Sequence, residues 1–163
     1  MMNKRLKQGS TFLLAVALTF PLLTLPGAKA ASAIDTGQKC SIEFDISGNS
    51  SELLSASIPV NLYKVASVDE SGNYTVTDAF TGLDLSDNLD TAAATWAARA
   101  KEAQGKLTDS DGKTVVEPTE TVTLQNGRGT ATGLKTGLYL VDTPKVITPN
   151  YTYTFTPYLV SLP

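Results

Sequence analysis

The 163-residue chain contains no histidine and a single cysteine, and these two shortages exclude several classes of protein. Without histidine there is no Ser-His-Asp triad, and the commonest zinc ligand is missing. The lone Cys40 has no partner for an internal disulfide, so disulfides do not hold the fold together. We interpret Cys40 as a small buried hydrophobic residue, because residues 37–39 lack the small apolar run of a lipid-attachment site.

Charged residues are also few, at 18%, and the net charge is −3. Nucleic-acid binding needs clustered lysine and arginine to neutralise phosphates, and no such cluster occurs after the first ten residues. The sequence has no phosphate-binding loop, no dinucleotide-binding glycine pattern and no paired-cysteine metal motif. We therefore expect no nucleic-acid partner, no cofactor and no catalytic activity.

One short acidic stretch resembles the beginning of a calcium-binding loop. It consists of Asp109, Ser110, Asp111 and Gly112. A complete loop needs further oxygen ligands and a bidentate acid at fixed spacing, and Glu117 does not stand at that position. We interpret the stretch as a polar turn and predict no metal site.

The first thirty residues have the pattern of a secretory signal peptide. A basic head at residues 1–10 precedes an apolar stretch at residues 11–25, and Ala28 and Ala30 are the small residues that signal peptidase requires. We predict cleavage after Ala30, with cleavage after Ala33 as the alternative. The apolar stretch is shorter than the roughly 20 residues that span a bilayer, and no second one follows. The sequence thus predicts a secreted mature protein that no membrane segment retains.

After this leader, the chain is rich in short segments in which apolar and polar residues alternate, which is the period of a half-buried strand. Residues that favour turns separate these segments. Asn126-Gly127 is the strongest hairpin signal among them, because both residues accept positive φ. The predicted strands cover residues 40–46, 58–68, 74–77, 121–124, 129–132, 138–141, 150–156 and 158–162.

One segment has a period of three to four residues instead, which predicts an amphipathic helix. We place the helix near residues 88–104, with Trp96 at the centre of its apolar stripe, Asp87 or Asp90 as its N-cap and Gly105 at its end. Few basic residues lie on its polar side, so we expect it to pack on its own domain. Many short strands and one helix predict a mainly β protein, a sandwich or barrel.

Lys64 is the residue with the most unusual predicted surroundings, because it shares the apolar face of the strand at residues 58–68. A buried lysine forms an intramolecular isopeptide bond when desolvation keeps its amine neutral and a carboxyl group shuttles the proton. Asp45 and Asp142 are the acids considered for this role. Alternatively, Lys64 extends its ammonium group to solvent. The apolar residues of the predicted face are Val60, Leu62, Ala66 and Val68.

Three stretches of the chain resemble the Cna B-type, or prealbumin-like, domains of Gram-positive pilins and wall-anchored adhesins. Residues 58–66 (IPVNLYKVA) are similar to the opening part of such domains. Residues 132–143 (TGLKTGLYLVDT) are similar to a glycine- and tyrosine-containing segment that ends in an acid and a threonine. Residues 153–163 (YTFTPYLVSLP) resemble the run that closes the N-terminal domain of many pilin backbone subunits. The resemblance extends over residues 37–163.

This resemblance implies an Ig-like, prealbumin-like β-sandwich with one inserted helix and a pilin-like or adhesin-like role at the cell surface. The expected organisation is a signal peptide at residues 1–30, a linker at residues 31–38 and a sandwich domain at residues 39–163. The implied partners are other pilin or cell-wall proteins, with host proteins or glycans as further ligands. Asp142 aligns with the catalytic glutamate of the family, and Asp45 lies near the position of its first-strand lysine.

Two family features do not occur in this sequence: the Tyr-Pro-Lys polymerisation motif and the Leu-Pro-x-Thr-Gly sorting signal. Three explanations stay open: a truncated product, a free secreted domain, or a domain that depends on partners for attachment. A second interpretation of the whole chain is a secreted module that binds carbohydrate or protein. That interpretation requires an exposed aromatic platform, for which Tyr151, Tyr153 and Phe155 are the candidates.

Overall fold

A computed structural model describes residues 33–86 and 92–163, together with the backbone of two short segments near the N-terminus. The protein is mainly β, with antiparallel sheets that curl around apolar cores. The strands are β1 (Thr11–Phe12), β2 (Ala15–Ala17), β3 (Lys39–Asp45), β4 (Ile58–Val68), β5 (Tyr74–Val76), β6 (Glu120–Leu124), β7 (Arg128–Lys135), β8 (Gly137–Asp142), β9 (Val146–Ile147), β10 (Thr152–Phe155) and β11 (Tyr158–Leu162). The helices are α1 (Ser51–Leu54) and α2 (Ala93–Gly105), and Asp78–Phe80 forms a 3₁₀ turn.

The longest strand, β4, organises a five-stranded antiparallel sheet. Along one edge β4 pairs with β8, which in turn pairs with β11. Along its other edge, the first half of β4 pairs with β6 and the last part pairs with β5. Its 11 residues, rich in Val, Ile, Leu and Tyr, suit a central strand that is covered on both faces.

Each face of this sheet is covered by a different apolar core, because successive side chains of a strand point to opposite sides. The first core lies between the sheet and strands β3, β7 and β10, and its members include Phe44, Leu62 and Tyr139. The second core lies between the opposite face and α2 with the 3₁₀ turn, and its members include Tyr63, Leu140 and Ala103. Burial of these two sets of side chains is the main stabilising contribution to the fold.

A hairpin around Asn126 and Gly127 carries the chain from the five-stranded sheet to β7, which pairs with β3. Both turn residues have positive φ, 51° and 77° respectively. Such φ values are those of the turns whose twist matches the flanking strands. The predicted hairpin is confirmed. The strand prediction for residues 58–68 and that for residues 158–162 match β4 and β11.

The helix begins later than predicted, and its predicted apolar stripe is confirmed for Ala100 and Ala103 but not for its centre. It spans Ala93–Gly105, whereas residues 87–91, which contain both proposed capping aspartates, lie outside the described residues. The buried side of α2 consists of Arg99, Ala100 and Ala103, and Trp96 is only half-buried. The small alanines allow close approach to the sheet, so the larger Trp96 ring lies at the margin, with the Arg99 guanidinium 5.0 Å from the ring centroid.

The predicted face of β4 is also wrong in part. The register between β4 and β8 shifts between Lys64 and Ala66. Consequently Val65 and Ala66 both belong to the second core, while Leu62 belongs to the first. A bulge of this kind adds one residue to a strand and reverses the alternation beyond it.

The turn expected after the strand at residues 40–46 lies at residues 47–49, and the short helix α1, which was not predicted, follows it. Ser50 caps this helix, since its Oγ accepts a hydrogen bond from the Leu53 backbone N–H over 3.4 Å. Leu53 is completely buried in the first core. The strand β9 was not predicted either, because two residues are too short to show an alternating pattern.

The leader is described only in two pieces of backbone. Strand β1 pairs in parallel with β10, and β2 pairs antiparallel with β3. The predicted cleavage site at Ala30 lies outside the described residues, so the signal peptide at residues 1–30 stays a prediction. None of the helices in the described ranges has the length and apolar character needed to cross a membrane.

Candidate functional site

A polar cleft opens where the end of α2 meets the end of β8, on the α2 side of the five-stranded sheet. Asp142 is the last residue of β8 and lies opposite Asn61 of β4. Gln104, in the last turn of α2, contacts Asp142. The cleft has a volume of about 530 Å³, and we call it the Asp142 cleft. Its lining consists of Asn61, Tyr63, Lys101, Gln104, Gly105, Leu107, Thr108, Thr114, Asp142 and Pro144.

The alternation of β8 explains why an acid stands at this position. Leu138 and Leu140 point from β8 into the second core, and Asp142 continues the same face at the rim of that core. On α2, Ala103 is buried in the same core, and the neighbouring Gln104 is half-buried at its rim. The same packing that buries the apolar residues thus brings the two polar ones together.

Asp142 has an altered acidity because of this placement. Burial raises the pKa of its carboxyl group above the usual value, since desolvation disfavours the charged form. The Nε2 group of Gln104 donates a hydrogen bond to Oδ1 of Asp142 over 2.6 Å and lowers the pKa in part. The net direction is upward, so Asp142 accepts a proton more readily than an exposed aspartate does.

Tyr63 provides a second functional group in the cleft. Burial raises the pKa of its phenol, and the nearby charges of Asp142 and Glu117 raise it further, while a hydrogen bond with Asn61 opposes the shift. Tyr63 therefore keeps its O–H at neutral pH and serves as a hydrogen-bond donor. Lys101 adds an ammonium group to the same lining.

The cleft therefore combines one acceptor carboxylate with several donors, a set that suits a small polar group such as a hydroxyl, an amide or an ammonium ion. Among the described residues, no three histidine, cysteine, aspartate or glutamate side chains stand close enough together to hold a metal ion. Asp109, the start of the predicted polar turn, accepts hydrogen bonds at Oδ1 from the backbone N–H groups of Asp111 and Lys113. Its carboxylate thus organises that turn.

The structure does not bring Lys64 and Asp142 together. Lys64 is paired with Tyr139, three positions along β4 from the Asn61–Asp142 pair. Alternation then directs Lys64 to the side of the first core, where Tyr139 lies, and Asp142 to the side of α2. The two side chains are on opposite faces of one sheet.

Asp45 also lies away from Lys64. The Asp45 carboxylate forms an ion pair with Arg128 over 3.2 Å at the end of β3, whereas Lys64 lies near Lys135, which pairs with Lys39 at the beginning of β3. Burial lowers the pKa of Lys64, and the positive charge of Lys135 lowers it further. Within the described residues, neither acid faces this amine, so the geometry favours an uncrosslinked lysine.

The proposed aromatic platform is largely buried. Tyr153 is only 4% exposed and belongs to the first core, and Phe155 packs against that core as a half-buried side chain. Tyr151 is 51% exposed, and its ring centroid lies 6.0 Å from that of Tyr153. Ile147, on the neighbouring strand, is 71% exposed. A carbohydrate would therefore find one exposed ring in place of three.

Cys40 lies on β3 as a half-buried residue packed against the first core, close to the predicted environment. In contrast, sequence reasoning missed most of the cleft. Gln104, Lys101 and Tyr63 lie on separate elements, and no spacing in the sequence connects them. Asp142 was the one member singled out, as a candidate acid for Lys64 and by its alignment with the catalytic glutamate in the family resemblance.

A comparison of the chain with protein-family models, with curated proteins and with solved structures found no match. The resemblance to Cna B-type domains therefore gains no support from these comparisons, and the function has to be inferred from the chain's own residues.

Proposed function

We propose that the chain is a secreted structural protein of the cell surface, a pilin-like or adhesin-like Ig-type β-sandwich with a scaffold or adhesion role and no catalysis. The supporting observation is spatial. The three stretches that resemble Cna B-type domains correspond to β4, to β8 with the end of β7, and to β10 with β11. In the sheet, β4, β8 and β11 are direct neighbours. The segments that carry the resemblance thus form one contiguous unit.

The leader pattern supports export. A basic head, an apolar middle and small residues before Ala30 are the features that the secretion machinery recognises. An exported domain with one cysteine has to obtain its stability from its cores, since disulfides are not available to it. Two cores on opposite faces of one sheet supply that stability.

A second candidate function is a secreted binding module. The observation that favours it is the Asp142 cleft, in which Tyr63, Lys101 and Gln104 surround a half-buried carboxylate. The glycan or protein ligands expected of a surface protein present hydroxyl, amide and ammonium groups, which suit this lining. Tyr151, which lies just before β10 and is 51% exposed, adds one further contact point.

The experiment for the proposed function is secretion of the whole chain from a Gram-positive host, followed by intact-mass measurement. We expect an extracellular protein whose N-terminus follows Ala30, or Ala33 in the alternative. We also expect the mass of an uncrosslinked chain, because Lys64 and Asp142 lie on opposite faces. The loss of one water would instead show an isopeptide bond between Lys64 and an acid.

A matched control is the double variant Ala28→Glu and Ala30→Glu, which removes the small residues before the predicted cut. It should keep its leader if cleavage follows Ala30 and lose it if cleavage follows Ala33. Recovery of the unaltered chain from the cytoplasm with its leader intact would contradict the proposal. Binding of the secreted protein to isolated cell walls, compared with heat-unfolded protein, then tests the surface role.

A further inference from the structure

Beside the first core, the structure has a position for one more strand, next to β3 and β10. Residues 11–12 pair in parallel with residues 154–155 of β10. Residues 15–17 pair antiparallel with residues 43–45 of β3. Within the described part of the chain, β3 and β10 do not pair with each other. Two short parts of the leader thus each pair with one of two strands that are otherwise separate.

Removal of the leader leaves two open strand edges at this position. Among the described strands of the mature chain, β3 then pairs with β7 alone and β10 with β9 alone. The N–H and C=O groups along such edges require partners, and an open edge is a template for pairing with another strand. The edges border the first core, in which Ile42 and Phe44 of β3 and Tyr153 of β10 are buried.

We propose that the mature chain accepts one extended strand from a second polypeptide at this position, between residues 43–45 of β3 and residues 154–155 of β10. We call this the strand-acceptor site. The inference rests on leader removal, which is part of the proposed function. In such strand addition, main-chain hydrogen bonds provide affinity and alternating side-chain positions provide specificity.

Residues 33–38 and β11 are already engaged within the domain, and we place the donor strand on a separate chain. Ile34 N–H donates to the Glu70 carbonyl over 2.9 Å, and the Thr136 hydroxyl donates to the Thr36 carbonyl over 3.1 Å. These bonds hold residues 33–38 against the domain. At the other end of the described chain, β11 pairs with β8 along its whole length.

The leader segment also indicates the chemistry of the donor. The paired leader residues are uncharged, and Ala17 lies opposite Glu43, while Ala15 lies opposite Asp45. A donor of uncharged, strand-forming residues fits this precedent. A lysine in place of Ala17 should improve the fit, because opposite charges across a strand pair attract.

The test uses the full chain and backbone hydrogen exchange. The double variant Ala15→Pro and Val16→Pro removes the Ala15 N–H, which points to β3, and places two proline rings in the strand, so β2 cannot pair. The N–H groups of Glu43 and Asp45, which point to β2, should then exchange about tenfold faster, while the Phe44 N–H, which points to β7, and the amides of the β4–β8 pairing keep their protection. The double variant Ala15→Thr and Val16→Thr retains both N–H groups and should exchange like the unaltered chain.

A synthetic peptide of residues 9–19, extended with lysines for solubility, serves as the separate strand. Added to the proline variant, it should restore protection of the Glu43 and Asp45 amides. The same peptide with the two prolines should have no effect. A peptide with lysine at position 17 should bind about two- to fivefold more tightly than one with aspartate there.

Two results would overturn the proposal: unchanged protection of the Glu43 and Asp45 amides in the proline variant, or loss of their protection that the peptide does not restore. If the variant unfolds, shown by loss of protection in β4, the leaderless protein from the secretion experiment takes its place in the peptide titration. Failure of export or cleavage would refute the proposed function, whereas the exchange measurement on the full chain reports on the acceptor site independently.

Discussion

Gln104 in the last turn of α2 donates a hydrogen bond from Nε2 to Oδ1 of Asp142 at the end of β8, over 2.6 Å. This bond joins the helix to the sheet at the rim of the second core. It also partly offsets the effect of burial, which raises the pKa of Asp142. The acidity of Asp142 and the attachment of α2 are therefore linked.

The variant Gln104→Ala should raise the pKa of Asp142 further, because it removes the group that favours the charged carboxylate. The pKa is measured from the ¹³C shift of the Asp142 carboxyl carbon during a pH titration. Gln125→Ala, a change of the same chemistry at an exposed position, should leave this pKa unchanged. An equal or lower pKa in Gln104→Ala would contradict the assignment.

The raised pKa of Asp142 has a predictable effect on stability. Between the unfolded value of 3.8 and the raised folded value, the folded state binds more protons than the unfolded state. The contribution of Asp142 to stability therefore decreases as pH rises through this window and is constant above it. The variant Asp142→Asn should lose this contribution to the pH dependence, measured by urea unfolding at several pH values. A dependence identical to that of the unaltered chain would show that Asp142 titrates normally.

Removal of either of two buried tyrosine hydroxyls should change the free energy of unfolding, but with opposite signs. The hydroxyl of Tyr139 donates to the Lys135 carbonyl over 2.9 Å, whereas that of Tyr158 is buried without a hydrogen-bond partner among the described residues. Tyr139→Phe should cost about 1 kcal/mol of unfolding free energy, and Tyr158→Phe should increase it by about 1 kcal/mol, since a buried unsatisfied group is removed. Urea unfolding of both variants checks the signs. A loss of stability in Tyr158→Phe would reveal a partner for that hydroxyl.

Position 137, at the start of β8, requires glycine because of its backbone conformation and the atoms around it. It has a φ of 143°, and a side-chain carbon there would meet the Ala66 carbonyl oxygen and lie 2.9 Å from Cε of Lys64. Gly137→Ala should therefore reduce the free energy of unfolding by about 2–3 kcal/mol through overpacking and strain. Gly48→Ala is the matched control, because no atom lies within 4 Å of the added carbon. Equal midpoints of urea unfolding for the two variants would contradict this explanation.

Patterns of neighbouring residues in the sequence correctly predicted those strands and turns that form because of their own residues. The alternation of residues 58–68 identified β4, and the two turn residues Asn126 and Gly127 identified the hairpin. The bulge after Lys64 was missed because Val65 and Ala66 are both apolar, so neither shows which core it faces. A bulge depends on how two strands pair, so the position of this one is determined by the pairing of β4 with β8.

The candidate site was less predictable than the fold, since it depends on how elements pack. Gln104 reaches Asp142 because Ala100 and Ala103 let α2 approach the sheet closely. The predicted helix stripe was right for Ala100 and Ala103, whereas its predicted centre, Trp96, lies at the margin for the same reason. A large ring suits the margin of a helix–sheet contact, while small side chains suit its centre.

Cys40 offers a direct test of the packing between β3 and the first core. Burial raises the pKa of its thiol above the reference value of 9.0, so the reactive thiolate is scarce at neutral pH. Alkylation by iodoacetamide should be slower in the folded chain than in urea, and the midpoint of its pH profile should lie higher. The double variant Cys40→Ser and Ser41→Cys moves the thiol to the adjacent exposed position, where alkylation should match the unfolded rate. A folded-state midpoint at or below that of the unfolded chain would show that β3 is not held against the core, and would remove the edge from which the strand-acceptor site is inferred.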